Sequence, residues 1–307
     1  MGGPRTLRIA VRGITKRFGS TLALDDVSLD FGGRVSIVLG TNGSGKSTLI
    51  NVIAGVTYPQ RGSLTLGTEE LHSSDKRGWR KGIEGARAKT GFMLDKPGYP
   101  TYLEGIELLD WASSKKDPEW TKRIIQKLDM AAFVRRAIGG YSSGMTQKIG
   151  LGTSVVSKPE VVLWDEPTAN LDAPTRTSVS GLIRELAAAG TTFIIASHTP
   201  ADFEGIADWM CVMRLGRVVL SGMVKDLSAG SARLIVESDK PSLLAAEALR
   251  AGLAVRAEIY DSYAELETKG TSDADSIGKI AATIHAAVRS IETRPRSISE
   301  LYAEAIA

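Results

Sequence analysis

The sequence predicts an α/β domain built on a mostly parallel sheet, followed by a small α+β domain. Three observations predict it. Short apolar runs at 35–40, 161–164 and 191–196 alternate with segments of helical periodicity. Those runs are continuously apolar, as in strands covered on both faces. A glycine-rich stretch, GTNGSGKST at 40–48, joins the first run to a helix-forming segment.

Taken in order, residues 7–11 and 28–31 read as strands linked by a turn-rich stretch at 16–20. The run 35–40 enters the glycine-rich loop. Residues 47–54 continue as a helix, with Gly55 as its C′ stop. Residues 62–67 form a short strand. From about residue 71 to 158 the character becomes helical and charged, with helical spacing at 103–112 and 120–128. The strand 161–164, a helix over 175–189 ending at Gly190, and the strands 191–196 and 210–213 complete the first domain, assigned to 1–228.

A linker at 227–231 leads to the second domain, 229–307. It reads strand (232–237), helix (242–251), two strands (255–260 and 264–268), helix (273–287) and a closing amphipathic helix (297–306). It carries no chemical motif.

Composition narrows the function classes. The 307 residues carry a net charge of only +3, which argues neither for nor against nucleic acid, and no nucleic-acid partner is expected. No run of 18 apolar residues exists to span a bilayer. The opening residues form neither an apolar signal core nor a sustained lipidation pattern. The single cysteine, Cys211, sits in an apolar strand, which suits a small buried residue in a reducing compartment.

Chemistry concentrates in three places. In a strand–loop–helix setting, Gly40, Thr41, Asn42, Gly43, Ser44, Gly45, Lys46, Ser47 and Thr48 match G-x-x-x-x-G-K-[ST], a loop whose backbone N–H groups converge on phosphate oxygens. Lys46 is expected to bridge the β- and γ-phosphates of a nucleotide, and the Ser47 hydroxyl to ligate Mg²⁺. Asp165 and Glu166 follow the strand 161–164, where a parallel sheet presents its ligand. Asp165 is expected to hold the metal and Glu166 to polarise the attacking water. His198 ends the next strand and faces the γ-phosphate by the same geometry. His72 and His285 have no such setting.

With these motifs, the stretch Tyr141-Ser142-Ser143-Gly144-Met145 resembles the signature of the ATP-binding-cassette (ABC) transporter nucleotide-binding subunits. The resemblance covers about residues 5–225. The family usually writes this signature LSGGQ; here it is close to the YSKGM form of cassettes that pair with ABC-2-type exporters. The resemblance implies a P-loop NTPase core with an antiparallel β subdomain and a helical insert at about 71–158. It implies ATP and Mg²⁺ as cofactors, and a head-to-tail dimer in which Ser142 and Gly144 of one chain meet the γ-phosphate held by Lys46 of the other. Phe18 falls where the family stacks an aromatic ring on adenine. Asp172 lies in the loop that speaks across the dimer. Asp95 stands where most cassettes carry a Mg²⁺-sensing Gln. The partners implied are a separately encoded transmembrane permease and a second ATP-binding subunit, on the cytoplasmic face of the membrane. The closing stretch 297–302 also resembles ABC-2-type cassettes. Soluble cassettes of DNA repair insert long coiled coils, and none is present here. Translation-associated cassettes typically carry two phosphate loops; this chain has one.

Overall fold

The structure, a computed structural model, describes residues 8–95, 98–113, 117–229, 233–268 and 273–307. The chain divides into two compact units: Met1–Met223 with the last three residues, and Val224–Glu304. The division falls five residues before the boundary expected at 228/229. The expected linker at 227–231 is helical up to Ala229, and its last two residues lie outside the described residues.

The first unit opens with a hairpin of β1 (Ile9–Phe18) and β2 (Thr21–Asp30). These strands run through the stretch at 16–20 that reads as a turn, and only Gly19 and Ser20 turn the chain. β3 (Val35–Leu39) enters the glycine-rich loop, and α1 (Lys46–Ile53) leaves it. Ala54 caps α1 and Gly55 follows with φ +67°, a left-handed C′ stop. β4 (Arg61–Leu66) and β5 (Glu69–His72) join the hairpin as an antiparallel sheet in the order β2-β1-β4-β5.

The stretch 71–158 is not wholly helical. It holds α2 (Lys76–Arg87), α3 (Gly105–Ala112), α4 (Pro118–Lys127) and α5 (Ser143–Val155), but also β6 (Thr90–Met93). β6 pairs parallel with β7 (Val161–Asp165) at the edge of the main sheet. Four residues are too few to display a period, and one is a glycine. Gly91 is required there, because a Cβ on it would lie 1.8 Å from Ser154 O on α5.

α6 (Ala173–Ala188), β8 (Thr192–Ser197), β9 (Trp209–Arg214) and β10 (Arg217–Met223) complete a six-stranded sheet in the order β10-β9-β3-β8-β7-β6. Every pair in it is parallel except β9 with β10. All residues of β3, β7 and β8 are buried, which explains their largely apolar character. Leu49, Ile50, Val52 and Ile53 of α1 pack into the core shared with both sheets. Burying each such side chain contributes about 1.5–3 kcal/mol.

The second unit contains α7 (Val224–Ala229), β11 (Arg233–Ser238), α8 (Pro241–Arg250), β12 (Ala254–Ile259), β13 (Tyr263–Thr268), α9 (Asp273–Thr283), β14 (Val288–Arg294) and, up to Glu304, α10 (Ile298–Ile306). β11-α8-β12-β13-α9-β14 is a split βαβ topology, an antiparallel sheet in the order β12-β13-β11-β14. β14 is absent from the sequence reading, which extends a helix to 287. α9 instead stops at Thr283; His285 takes φ +50°, and the Ala286 N–H reaches back to Ala281 O. Leu234 and Val236 of β11, Leu244 and Ala248 of α8, and Ile277 of α9 form the core of this unit.

Candidate functional site

The loop Gly40–Gly45 hangs from the carboxyl end of β3. Gly45 has φ +105°, and a Cβ on it would lie 2.5 Å from Ala23 O on β2. Only glycine fits there, so the loop turns sharply and presents its N–H groups at the start of α1. The Ser44 N–H donates to Thr41 O (3.1 Å), closing the loop on itself. Lys46 is buried, and its ammonium donates to Gly40 O (2.8 Å) and Thr41 O (3.2 Å). Backbone N–H groups, a helix N-terminus and a buried ammonium together make an anion-binding concavity.

Asp165 and Glu166 emerge from β7 beside it. Glu166 has a left-handed backbone, φ +51°, which costs an L-residue about 1–2 kcal/mol. Two bonds fix this turn: the Glu166 N–H donates to Ala196 O on β8 (2.9 Å), and Gln147 Nε2 donates to Glu166 O (2.7 Å). The carboxylate is thereby held between Lys46 and His198. Oε1 lies 3.7 Å from Lys46 Nζ, and Oε2 lies 2.8 Å from His198 Nδ1.

Asp165 is buried, and its Oδ1 has no hydrogen-bond partner. Burial pushes its carboxyl up to about 6; the negative charges of Glu166 and Asp95 push the same way, while the Ser47 hydroxyl and Lys46 oppose them. An orphaned carboxylate oxygen, a serine hydroxyl bonded to the same group, and a second carboxylate nearby form an oxygen donor set that suits a hard divalent cation. Ser44 Oγ is likewise buried and unpaired in the loop.

The structure therefore brings together the loop 40–48, Lys46, Ser47, Asp95, Asp165, Glu166 and His198. Other expected residues stand apart from this cluster. Phe18 ends β1 with half its surface exposed and the Lys16 ammonium 4.8 Å from its ring centroid. Ser142 is the N-cap of α5, its Oγ accepting from the Met145 N–H (3.3 Å). Gly144 lies in the first turn of α5, where a Cβ would come within 3.0 Å of Asn170 O. Asp172 caps α6, and hydrogen bonds from Thr175 hold its carboxyl below the usual range. The residue that sequence reasoning missed is Gln147. It sits about one helical turn after Gly144, and its burial comes from the fold, with no local sequence pattern to mark it.

The family model "ABC transporter" matches residues 24–169. The daunorubicin resistance ATP-binding protein DrrA3 of Streptomyces coeruleorubidus is 30% identical over 223 residues, which cover 72% of this chain and 70% of that protein. The Fe(3+) ions import ATP-binding protein FbpC of Pseudomonas fluorescens is 31% identical over 226 residues; they cover 71% of this chain but 62% of the relative. Among solved structures, the fold resembles that of a dimeric bacterial ABC transporter cassette, MJ0796. Its TM-score is 0.63 at 21% identity, covering 70% of this chain and 98% of that one. With a relative 30% identical over more than two thirds of both chains, the chain belongs to the ABC transporter family as one of its ATP-binding ATPase subunits.

Proposed function

We propose that this chain hydrolyses ATP at the cluster around Lys46 and Glu166 to drive an exporter through ATP-dependent closure of two cassettes. The observation that carries the reading is the position of Glu166, poised on a left-handed turn between Lys46 and His198. In this reading the loop 40–48 and Lys46 bind the phosphates, and Phe18 stacks on the base. Ser47, Asp165 and Asp95 hold Mg²⁺, which neutralises phosphate charge when bound. Glu166 accepts the proton of the attacking water, and His198 orients Glu166. Ser142, Gly144 and Asp172 act from a second cassette, either a copy of this chain or a related one.

The transport path is assigned to a separate transmembrane subunit, with this chain docked on its cytoplasmic face. Among the described residues no helix is long and apolar enough to cross a membrane. Export is supported by the YSSGM signature and the closing segment at 297–302, both resembling ABC-2-type cassettes. The relatives themselves include a resistance protein and an iron importer.

Glu166→Gln tests the mechanism. Turnover should fall by about 10²–10⁴, while ATP stays bound and the protein sediments as an ATP-dependent dimer. Normal turnover by this variant would remove Glu166 as the base. Drug or lipid efflux assays in membranes holding the cognate permease test direction, and ATP-driven uptake would overturn export.

A further inference from the structure

We propose that the outer edge of β12 in the second unit pairs antiparallel with the same edge of a second copy of this chain, about a twofold axis through Ala257. This contact is independent of ATP and of the catalytic reading above.

β12 is an edge strand. Among the described residues it pairs with β13 alone. The Tyr260 N–H donates inward to Tyr263 O, at the hairpin that joins the two strands. Backbone direction alternates along an antiparallel strand. Glu258 and Arg256 therefore bond inward, while the N–H and C=O groups of Ala257 and Ile259 point out. Edges of this kind are templates for another strand.

The sequence of the edge says which strand. It reads Val255-Arg256-Ala257-Glu258-Ile259. Read against itself in reverse about Ala257, valine faces isoleucine, arginine faces glutamate and alanine faces alanine. A twofold axis makes every contact occur twice, so such an edge must be self-complementary, and this one is in both charge and apolarity. The outward-pointing Ala257 pair exchanges both backbone hydrogen bonds. The Arg256–Glu258 pairs then fall at the non-hydrogen-bonded positions, where side chains approach most closely.

The isolated unit also leaves groups that this pairing would use. Val255 and Ile259 are 51% and 52% exposed, and Leu249 at the end of the adjacent α8 is 42% exposed. Glu258 lies directly opposite Glu265 across the strands, a like-charge pair. Its cation is Arg256 of its own strand, 3.0 Å away. Glu265 has its own guanidinium in Arg233, 3.6 Å away, and the pairing would bring Arg256 of the other copy against Glu258 as a second one. A bulge between Ala254 and Arg256 leaves Val255, the first residue of the complementary segment, without a partner on β13, and the regular register runs from Arg256 to Ile259. Joined in this way, two cassettes stay at high effective concentration for each other while their ATP sites are open.

The test uses the full chain without nucleotide. Ala257→Cys places two thiols at the axis, where a hydrogen-bonded pair has its Cα atoms about 5.5 Å apart, within disulfide reach. Native Cys211 is fully buried and does not compete. Mild oxidation should give a linked dimer. Adding Arg256→Glu or Glu258→Arg should each cut the yield at least about tenfold, since each sets like charges face to face. Mixing those two variants should restore it, because glutamates then face arginines. Sedimentation of the parent and of the same charge variants, all with the native Ala257, should follow the same order. No linkage in folded Ala257→Cys protein, or linkage indifferent to the charge variants and their mixture, would overturn the proposal.

Discussion

Glu166 and His198 meet side chain to side chain, with Nδ1 of the imidazole 2.8 Å from Oε2, although 32 residues separate them. The His198 N–H lies 3.4 Å from the same oxygen. Two nitrogens from the end of β8 thus hold one carboxylate oxygen. The other oxygen faces Lys46. His198→Ala should free the carboxylate to rotate while leaving the phosphate loop intact. ATPase turnover should drop by about 10²-fold or more, with ATP affinity within a few-fold of the parent. Equal losses in turnover and affinity would show that His198 serves binding rather than orientation.

Lys46 gives the complementary split. Its ammonium is buried against the carbonyls of Gly40 and Thr41. A charge-assisted hydrogen bond contributes about 1.5–3 kcal/mol. Lys46→Ala should therefore weaken ATP binding by roughly 10- to 100-fold, read by calorimetry. Unchanged affinity would defeat the phosphate-loop assignment.

The contrast between those two residues and Gln147 shows what the sequence makes legible. Lys46, Asp165, Glu166 and His198 each follow an apolar strand in a parallel sheet, so local pattern alone puts them at one edge. Gln147 reaches Glu166 O from a different helix, and no local period encodes that approach. β6 and β14 were hidden for a related reason: one is four residues long with a buried glycine, and the other carries charges on most of its outward positions. Ser142 and Gly144 were legible through their motif. The role proposed for them involves a second chain, which a single chain's fold does not display.

Two glycines test the packing in opposite directions. Gly91 has Ser154 O in the space a Cβ would fill, with backbone on both sides. Gly91→Ala should force β6 and α5 apart and destabilise the first unit by about 1–3 kcal/mol. Gly181 lies inside α6 with nothing within 4 Å of its Cβ position. Gly181→Ala should stabilise by about 0.5–1 kcal/mol. Thermal melts of the two variants should therefore move to opposite sides of the parent, and shifts in the same direction would contradict the packing at β6.

The second unit carries its own pH signature. Ser297 and Glu300 form a reciprocal cap at the start of α10: the Ser297 N–H donates to Glu300 Oε2 (2.8 Å), and the Glu300 N–H donates to Ser297 Oγ (3.1 Å). Arg233 of β11 lies 3.1 Å from the other carboxylate oxygen. Burial alone would raise the Glu300 carboxyl. The bonds from Ser297 and the charge of Arg233 outweigh it, and the carboxyl is held below its usual range. A carboxyl lowered in the folded state stabilises fold over unfolded chain above the ordinary glutamate value. That stabilisation is lost as pH falls through the lowered folded value. The parent should thus lose stability on acidification from about pH 6 to pH 3 more steeply than Glu300→Gln, which has no charge to lose. Denaturant melts at the two ends of this range measure the difference, and identical pH slopes for parent and variant would show that the cap and Arg233 hold the carboxyl too weakly to matter.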